Sequence, residues 1–269
     1  MRLLNSDLKL ECFFEKMRMG SLLMLDYDGT LAPFVAERMQ AYPYRGVKDR
    51  LESLSKLEKS RILIVSGRSL SDLEILLDTP HGLELWGSHG LEKKLLSGEK
   101  IYAPVDGTLR KGLEQGIKVC RERSEEKYCE VKPYAVAVHW RGKKKNEQRE
   151  ARECIEPAWK AICSNYELEI HYFDGGLELR PKGWNKGNVV QEVLSEVSRD
   201  IAIAYLGDDL TDEEAFAALS NKGLKVLVRK QLRPTLADIC LTPPEELLVF
   251  LDRWLFAANP IIAAASGES

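Results

Sequence analysis

The chain has 269 residues, of which 44% are hydrophobic, and its formal net charge is -3. This balance lacks the strongly basic surface that nucleic-acid binding requires, so nucleic acid is not an expected partner. The length predicts one large domain and a second, smaller one.

Six cysteines are scattered along the chain without a C-x-x-C pair. This usage predicts a reducing compartment and no disulfide framework. No stretch reaches the roughly 18 consecutive apolar residues of a membrane helix, and charged residues interrupt the N-terminal segment. We therefore expect a cytoplasmic protein without a membrane partner, whose oligomeric state the sequence does not specify.

Short apolar runs alternate with segments of helical spacing over the first hundred residues. Strands are predicted at 22–25, 62–65 and 83–86, and helices at 47–57 and 70–77. The order strand, helix, strand, helix, strand indicates a parallel sheet covered by helices.

The pattern changes after about Pro104 and later returns. Between the two α/β stretches, polar helices and short strands indicate an α+β module. Its predicted elements are helices at 109–123 and 146–162 and strands at 130–140, 167–172 and 177–179. The later α/β elements are helices at 187–197, 211–219 and 245–256 and strands at 201–206 and 224–228.

The predicted fold class is therefore α/β, with a Rossmann-like parallel-sheet core of residues 1–104 and 182–269. An inserted α+β cap of residues 105–181 interrupts this core. In the last part, Thr211 is expected to cap its helix, with Glu214 three residues later completing a capping box.

Two carboxylates, Asp26 and Asp28, stand just past the end of the first strand, and Gly29 allows a tight turn there. Hard oxygen ligands in this pattern suit Mg²⁺. A carboxylate can also attack phosphorus, and we assign this nucleophilic role to Asp26. Asp28 is placed to protonate the leaving oxygen and then to activate water. The same residue types are also common in capped turns.

Two further stretches have the chemistry to hold a phosphate. Ser66, Gly67 and Arg68 follow the second strand, and they offer a hydroxyl, a backbone amide and a guanidinium. Ser66, or Ser69 just beyond it, can equally be a helix N-cap. Lys186 precedes a predicted helix and can neutralise charge between nucleophile and phosphate, although most isolated lysines are solvated surface charges.

An acidic run at 208–214 follows a later apolar strand. Its carboxylates repel one another strongly unless a cation is near. We predict Asp208 as a third metal ligand and Asp212, one helical turn on, as a ligand or an orienting group. Glu213 and Glu214 can alternatively serve only to favour the helix N-terminus.

In this order, the residues resemble the motifs of the haloacid dehalogenase (HAD) superfamily of phosphotransferases over roughly residues 20 to 250. The resemblance implies a HAD core with a cap of the C2B type. It implies that Mg²⁺ is held by Asp26, Asp28, Asp208 and Asp212. It also implies that the substrate phosphate is bound by Thr30, Ser66, Gly67, Arg68 and Lys186.

Several segments are similar to the trehalose-6-phosphate phosphatase family within that superfamily, namely 65–68, 87–92, 138–141, 177–181 and 207–213. The resemblance implies a phosphoric monoester hydrolase of trehalose biosynthesis, with a phosphorylated sugar as its small-molecule partner. It further implies that sugar hydroxyls are contacted by the cap residues Glu130, Lys132, Arg141 and Glu178.

One turn departs from the family pattern. Asp174, Gly175 and Gly176 include no lysine, whereas family members often have one there. The expected reaction is hydrolysis of trehalose 6-phosphate through an aspartyl phosphate. The alternatives are phosphatases of other compatible solutes, such as glucosylglycerol phosphate or mannosylglycerate-type phosphates, a sugar phosphomutase, and a non-catalytic sugar-phosphate sensor.

Overall fold

The computed structural model describes residues 1–5, 8, 10–35, 37–78, 82–123, 128–140, 142–173, 175–198 and 200–259. The chain divides into two compact units. The first is Met1–Ile101 together with Asn185–Ser269, and the second is Tyr102–Trp184. That these units are a catalytic core and a specificity cap stays a prediction.

The elements of the described residues are numbered in chain order. The strands are β1 (Arg2–Leu3), β2 (Ser21–Leu25), β3 (Ser60–Val65), β4 (Glu84–Gly87), β5 (Glu92–Lys94), β6 (Lys100–Tyr102), β7 (Cys129–Val131), β8 (Val136–His139), β9 (Leu168–Phe173), β10 (Gly176–Pro181), β11 (Ala202–Gly207), β12 (Leu224–Val228) and β13 (Ile239–Leu241). The α-helices are α1 (Leu10–Glu15), α2 (Val47–Ser55), α3 (Leu70–Leu77), α4 (Gly107–Arg123), α5 (Lys145–Cys163), α6 (Lys186–Ser195), α7 (Leu210–Leu219) and α8 (Glu245–Ala258). Within these residues, no helix has the length and apolar composition needed to cross a bilayer.

The larger sheet has the strand order β1-β13-β12-β11-β2-β3-β4-β5-β6. The six strands from β13 to β4 are parallel, whereas β1 and β5 pair antiparallel with their neighbours. The prediction of an α/β core with a central parallel sheet is thus confirmed. Two short strands, β5 and β6, extend the sheet beyond β4 before the inserted module begins.

Strand β2 shows why an uninterrupted apolar run lies at the centre of this sheet. Successive side chains of a strand point to opposite faces. Leu23 and Leu25 pack in one cluster with residues of α2 and α8, and Leu22 and Met24 pack in another with residues of α6 and α7. Both faces are therefore covered, as expected for parallel sheets.

The second unit contains an antiparallel sheet with the strand order β7-β8-β10-β9. Helices α4 and α5 pack against the face formed by Val136, Val138, Leu177 and Leu179. Strand alternation places Glu130 and Glu178 on the other face, because each is paired across the sheet with the same residue of β8.

A disulfide joins Cys120 of α4 to Cys129 of β7. The expectation that the chain has no disulfide framework is therefore wrong at this pair. Spacing alone did not indicate it, because the two residues are brought together by the packing of a helix on an edge strand.

Gly116 of α4 provides a test of the close packing in the second unit. A Cβ at this position would overlap the Leu179 Cδ2 methyl and lie 3.3 Å from Val136 Cγ1. Gly116→Ala should therefore destabilise the protein by about 1–3 kcal/mol through overpacking, although alanine is the better helix former by about 1 kcal/mol. Gly107→Ala is the matched control, since nothing lies within 4 Å of its added Cβ.

Denaturant unfolding of both alanine variants checks this prediction. The control variant should be as stable as the wild type or slightly more so. Equal free energies of unfolding for the two variants would contradict the packing described here.

Candidate active site

Three neighbouring strands of the larger sheet direct polar residues to one edge. Strand β2 lies between β11 and β3, and the three strands are parallel. Asp26 follows β2, Ser66 follows β3 and Asp208 follows β11. Ligand sites of open α/β sheets lie outside the carboxyl ends of such strands, where the chain runs to opposite sides of the sheet.

Three buried carboxylates meet at this edge. Asp26, Asp208 and Asp212 each offer an oxygen that lies within 4.8 Å of the others. Burial, followed by the charge of Asp212, raises the pKa of Asp26 to about 7. Burial, followed by the charge of Asp26, raises the pKa of Asp208 well above its ordinary value. The cluster therefore carries more negative charge than its surroundings compensate.

Lys186 supplies the positive charge nearest to these carboxylates. Its Nζ lies 2.6 Å from Asp26 Oδ1 and 2.7 Å from Asp212 Oδ1. Burial lowers the pKa of Lys186, but the charges of Asp212 and Asp26 outweigh it and raise the pKa overall. The residue begins α6, and Asn185 caps that helix by accepting a bond from Asn188 N at 2.9 Å.

Both oxygens of Asp212 are occupied by donors. Oδ1 accepts bonds from Lys186 Nζ and, at 2.8 Å, from the Tyr205 hydroxyl. Oδ2 accepts bonds from Asp208 N at 2.9 Å and Asp209 N at 3.0 Å. A carboxylate has about four acceptor positions, so Asp212 is placed to organise its neighbours.

The start of α7 differs from the sequence-based prediction. Asp209 is the N-cap, and Asp212 completes the capping box, so the assignment of Thr211 and Glu214 to these positions is wrong. An aspartate can accept the same backbone bonds as a threonine. The actual box begins two residues earlier, within the acidic run itself.

The turn after β2 is fitted closely to the carboxylates. The Thr30 hydroxyl donates to Asp26 Oδ2 at 3.0 Å. Gly29 has φ +84°, and a Cβ there would overlap the carboxylate of Asp208. Glycine is thus required both by the backbone conformation and by the approach of Asp208.

Asp28 lies outside the three-carboxylate cluster. Its oxygens accept two bonds from the Arg68 guanidinium, at 2.6 and 2.7 Å. Ser66 is buried, and its Oγ accepts a bond from Arg68 N at 3.1 Å. Ser69 is the N-cap of α3, with Asp72 N as the donor at 3.2 Å. Ser69, and not Ser66, therefore caps α3, so Ser66 is available for other contacts.

Two residues at this site were missed by sequence reasoning. Arg233 donates to the backbone oxygens of Asp208 and Asp209 and pairs with Glu213. No sequence pattern signals these contacts, because they join a loop to a distant turn. Tyr205 did carry a signal, since a tyrosine inside a buried strand needs a partner for its hydroxyl.

The predicted sugar-contact residues of the second unit lie partly together. Lys132 Nζ lies 2.6 Å from Glu178 Oε1, and Glu130 Oε2 lies 2.7 Å from His139 Nε2. Arg141 lies outside the described residues, as does Asp174.

The donor set fits a hard divalent cation. Carboxylate oxygens are the preferred ligands of such cations, and the cluster of Asp26, Asp208 and Asp212 is buried. Burial and the charges of Asp26, Asp212 and Asp209 disfavour the ionised form of Asp208 and raise its pKa. A buried carboxylate among like charges is costly unless a cation is near.

The profile of the trehalose-phosphatase family matches residues 24–241. The chain belongs to this family. The resemblance inferred from the sequence motifs is thereby confirmed, and the match covers both the first unit's site and the whole second unit.

A relative supports this membership, and two solved structures share the fold of the chain. The chain is 30% identical over 244 residues to a trehalose-phosphatase of Schizosaccharomyces pombe, covering 86% of this chain but 30% of that protein. The C-terminal domain of a Candida albicans trehalose-6-phosphate phosphatase has the same fold, with a TM-score of 0.79 at 24% identity over 95% of this chain and 99% of that one. A haloacid dehalogenase-like hydrolase of Bacteroides thetaiotaomicron also shares the fold, with a TM-score of 0.61 at 15% identity over 87% and 99% of the two chains.

The stabilisation of this protein by a cation bound at Asp26, Asp208 and Asp212 should increase with pH. Folding raises the pKa of Asp26 from its ordinary value of about 4 to about 7, because the folded protein disfavours the ionised carboxylate. The free energy of unfolding of the metal-free protein should therefore fall as pH rises between these two values. A divalent cation relieves this repulsion. Added MgCl₂ should therefore raise the melting temperature more at pH 8 than at pH 5.

Thermal melts of the wild type and of Asp208→Asn at both pH values check this prediction. The variant lacks one ligand and one source of repulsion, so its response to MgCl₂ should be small. A wild-type shift that is absent at pH 8, or equal at both pH values, would contradict a cation site here.

Proposed function

We propose that this chain is a Mg²⁺-dependent phosphoric monoester hydrolase that converts trehalose 6-phosphate to trehalose and phosphate. The observation that carries the proposal is the buried contact of Lys186 with Asp26, beside Asp208, in a member of the trehalose-phosphatase family. A nucleophilic carboxylate needs such positive charge beside it to meet an anionic substrate.

In the first step, Asp26 attacks phosphorus in line with the sugar oxygen. A bond forms between an Asp26 oxygen and phosphorus while the bond from phosphorus to the sugar oxygen breaks. Asp28 delivers a proton to that departing oxygen. The step leaves an aspartyl phosphate on Asp26 and releases the free sugar.

In the second step, Asp28 takes a proton from water. The resulting hydroxide attacks the phosphorus of the aspartyl phosphate, and the bond to Asp26 breaks. Inorganic phosphate leaves, and both carboxyl groups return to their starting states.

The surrounding residues hold charges in place during both steps. Bound Mg²⁺ would be held by the carboxylates of Asp26 and Asp208 and would supply charge stabilisation at the phosphoryl oxygens. Lys186 neutralises the nucleophile and the phosphate, and Ser66 with the Gly67 amide provides hydrogen bonds to phosphate oxygens. Thr30 orients Asp26, while Asp212 orients Lys186 and the Asp208 turn.

Sugar recognition is proposed for the polar face of the second unit's sheet. Glu130, Lys132 and Glu178 offer charge-assisted hydrogen bonds to sugar hydroxyls. The family resemblance assigns Arg141 to the same task.

A second candidate substrate class is favoured by one observation. The turn of Asp174, Gly175 and Gly176 has no lysine, so a compatible-solute phosphate such as glucosylglycerol phosphate or a mannosylglycerate-type phosphate is the alternative. Side-by-side assays of these compounds decide between them. Phosphorus NMR of the products separates a phosphatase from a phosphomutase, which would return phosphate to a sugar hydroxyl.

Asp26→Asn should abolish phosphate release while leaving the fold intact. The amide has nearly the same shape but cannot act as the nucleophile, so kcat should fall at least about 10³-fold. Asp49→Asn, on the exposed surface of α2, is the matched control and should retain wild-type activity. EDTA should stop the wild-type reaction, and Mg²⁺ should restore it.

Mass spectrometry of quenched wild-type reactions should locate phosphate on Asp26. Near wild-type activity of the asparagine variant, with a folded protein, would rule out the covalent mechanism.

Lys132→Met and Glu178→Gln should impair the sugar reaction selectively. Each removes a charge-assisted bond to a sugar hydroxyl, so KM for trehalose 6-phosphate should rise about tenfold or more, the effect of roughly 1.4 kcal/mol. Hydrolysis of p-nitrophenyl phosphate, which has no sugar, should be unchanged. Lys118→Met, on the exposed surface of α4, is the control. Equal losses with both substrates would refute the assignment to sugar binding.

A further inference from the structure

The guanidinium of Arg68, a residue predicted to bind phosphate, contacts the carboxylate of Asp28. Its Nε lies 2.6 Å from Asp28 Oδ2, and its Nη2 lies 2.7 Å from Asp28 Oδ1. Two parallel N–H bonds to one carboxylate fix both the distance and the orientation of that carboxylate. The guanidinium therefore specifies where the carboxylate of Asp28 lies.

The Arg68 guanidinium is buried, and two of its three nitrogens already bind Asp28. The Arg68 side chain is 7% exposed. The remaining nitrogen, Nη1, is shielded from solvent and makes no hydrogen bond to the described residues. The ring of Tyr27 lies beside the guanidinium, with the Arg68 Cζ 5.5 Å from the ring centroid. These contacts leave the side chain facing Asp28.

The backbone of Arg68 is held as firmly as its side chain. Arg68 N donates to Ser66 Oγ, and Arg68 O accepts a bond from Ser88 N at 2.7 Å. The adjacent Gly67 lies against the ring of His89, which would be 2.7 Å from an added Cβ. Ser88 and His89 both have positive φ values, 48° and 57°. Such strained positions persist only where the surrounding structure fixes them.

The contact also separates Asp28 from the other carboxylates. Asp26, Asp208 and Asp212 form the cluster that can hold a cation, and Asp28 is not part of it. The Asp28 side chain remains 29% exposed. An acid/base residue must be held near the reacting oxygen, and the contact with Arg68 gives Asp28 a fixed position apart from the cation cluster.

We propose that Arg68 is a positioning residue that holds the carboxylate of Asp28 in place for proton transfer and does not bind the substrate phosphate. The inference deepens the proposed function and rests on it. Arg68 acts through Asp28, so its importance depends on whether the reaction requires the proton that Asp28 transfers.

A double-mutant cycle tests this dependence. Arg68→Met should lower kcat/KM for the sugar phosphate about 10- to 100-fold, as expected when a group that orients a reacting residue is lost. In an Asp28→Asn background, the same substitution should change kcat/KM by no more than about twofold, because no acid remains to be positioned.

Two further measurements distinguish positioning from phosphate binding. The kcat/KM of Arg68→Met for p-nitrophenyl phosphate should fall much less than for the sugar phosphate, because nitrophenolate leaves without needing a proton. The inhibition constant of inorganic phosphate should stay unchanged. A phosphate-binding arginine would instead affect both substrates and raise that inhibition constant.

Two variants control for charge and folding. Arg68→Lys keeps the charge but cannot form the two parallel bonds, and it should not restore activity. Arg61→Met removes a guanidinium that binds Glu84 in the same bidentate way, at 2.7 and 2.8 Å. Arg61→Met should lower the melting temperature, and any change in its kcat/KM should be the same for the sugar phosphate and for p-nitrophenyl phosphate. If Arg68→Met does not fold, the double-mutant cycle, the comparison of the two substrates and the inhibition by phosphate are measured with Arg68→Lys instead.

The outcomes separate the inference from the function on which it rests. The inference would be overturned if the kcat/KM losses of Arg68→Met and Asp28→Asn multiplied in the double variant and the inhibition constant of phosphate rose in Arg68→Met. The proposed phosphatase function would not be affected by that result. A folded wild-type protein that releases phosphate from no phosphomonoester would refute the proposed function, and the inference with it.

Discussion

The rest of the site depends on the repulsion among the buried carboxylates of Asp26, Asp208 and Asp212. Folding brings their oxygens within 4.8 Å of one another and removes water that would screen them. Lys186 offsets part of this charge, and Gly29 provides the space that brings Asp208 near. The arrangement is costly for a protein alone and favourable for one that binds a cation and a phosphoryl group. The core of the sheet supplies the stability that this arrangement requires.

Sequence reasoning placed residues of the candidate site at one edge of the sheet where a single geometric rule sufficed. Polar residues directly after buried parallel strands meet at one edge of the sheet, so Asp26, Ser66 and Asp208 could be grouped without a structure. The parallel strands and main helices followed from hydrophobic periodicity in the same way. Strands β1, β5, β6 and β13 escaped prediction because two or three residues are too few to show a period.

The contacts that could not be predicted depend on side-chain direction. Arg68 precedes a helix in a phosphate-binding pattern, yet its guanidinium reaches Asp28, 40 positions earlier. Arg233 reaches the Asp208 turn from a loop without any motif. The capping box of α7 fell on Asp209 because several acidic residues compete for one helix end, and only the backbone geometry selects among them. The disulfide of Cys120 likewise follows from helix packing.

The central claim is that Asp26 receives the phosphoryl group beside a cation bound by its neighbouring carboxylates. A crystal structure grown with Mg²⁺ and beryllium fluoride, which imitates a phosphoryl group on a carboxylate, tests it most directly. The account predicts that beryllium fluoride is attached to an oxygen of Asp26, with Mg²⁺ contacted by Asp208. Beryllium fluoride bound elsewhere, or Mg²⁺ absent from these carboxylates at saturating concentration, would contradict it.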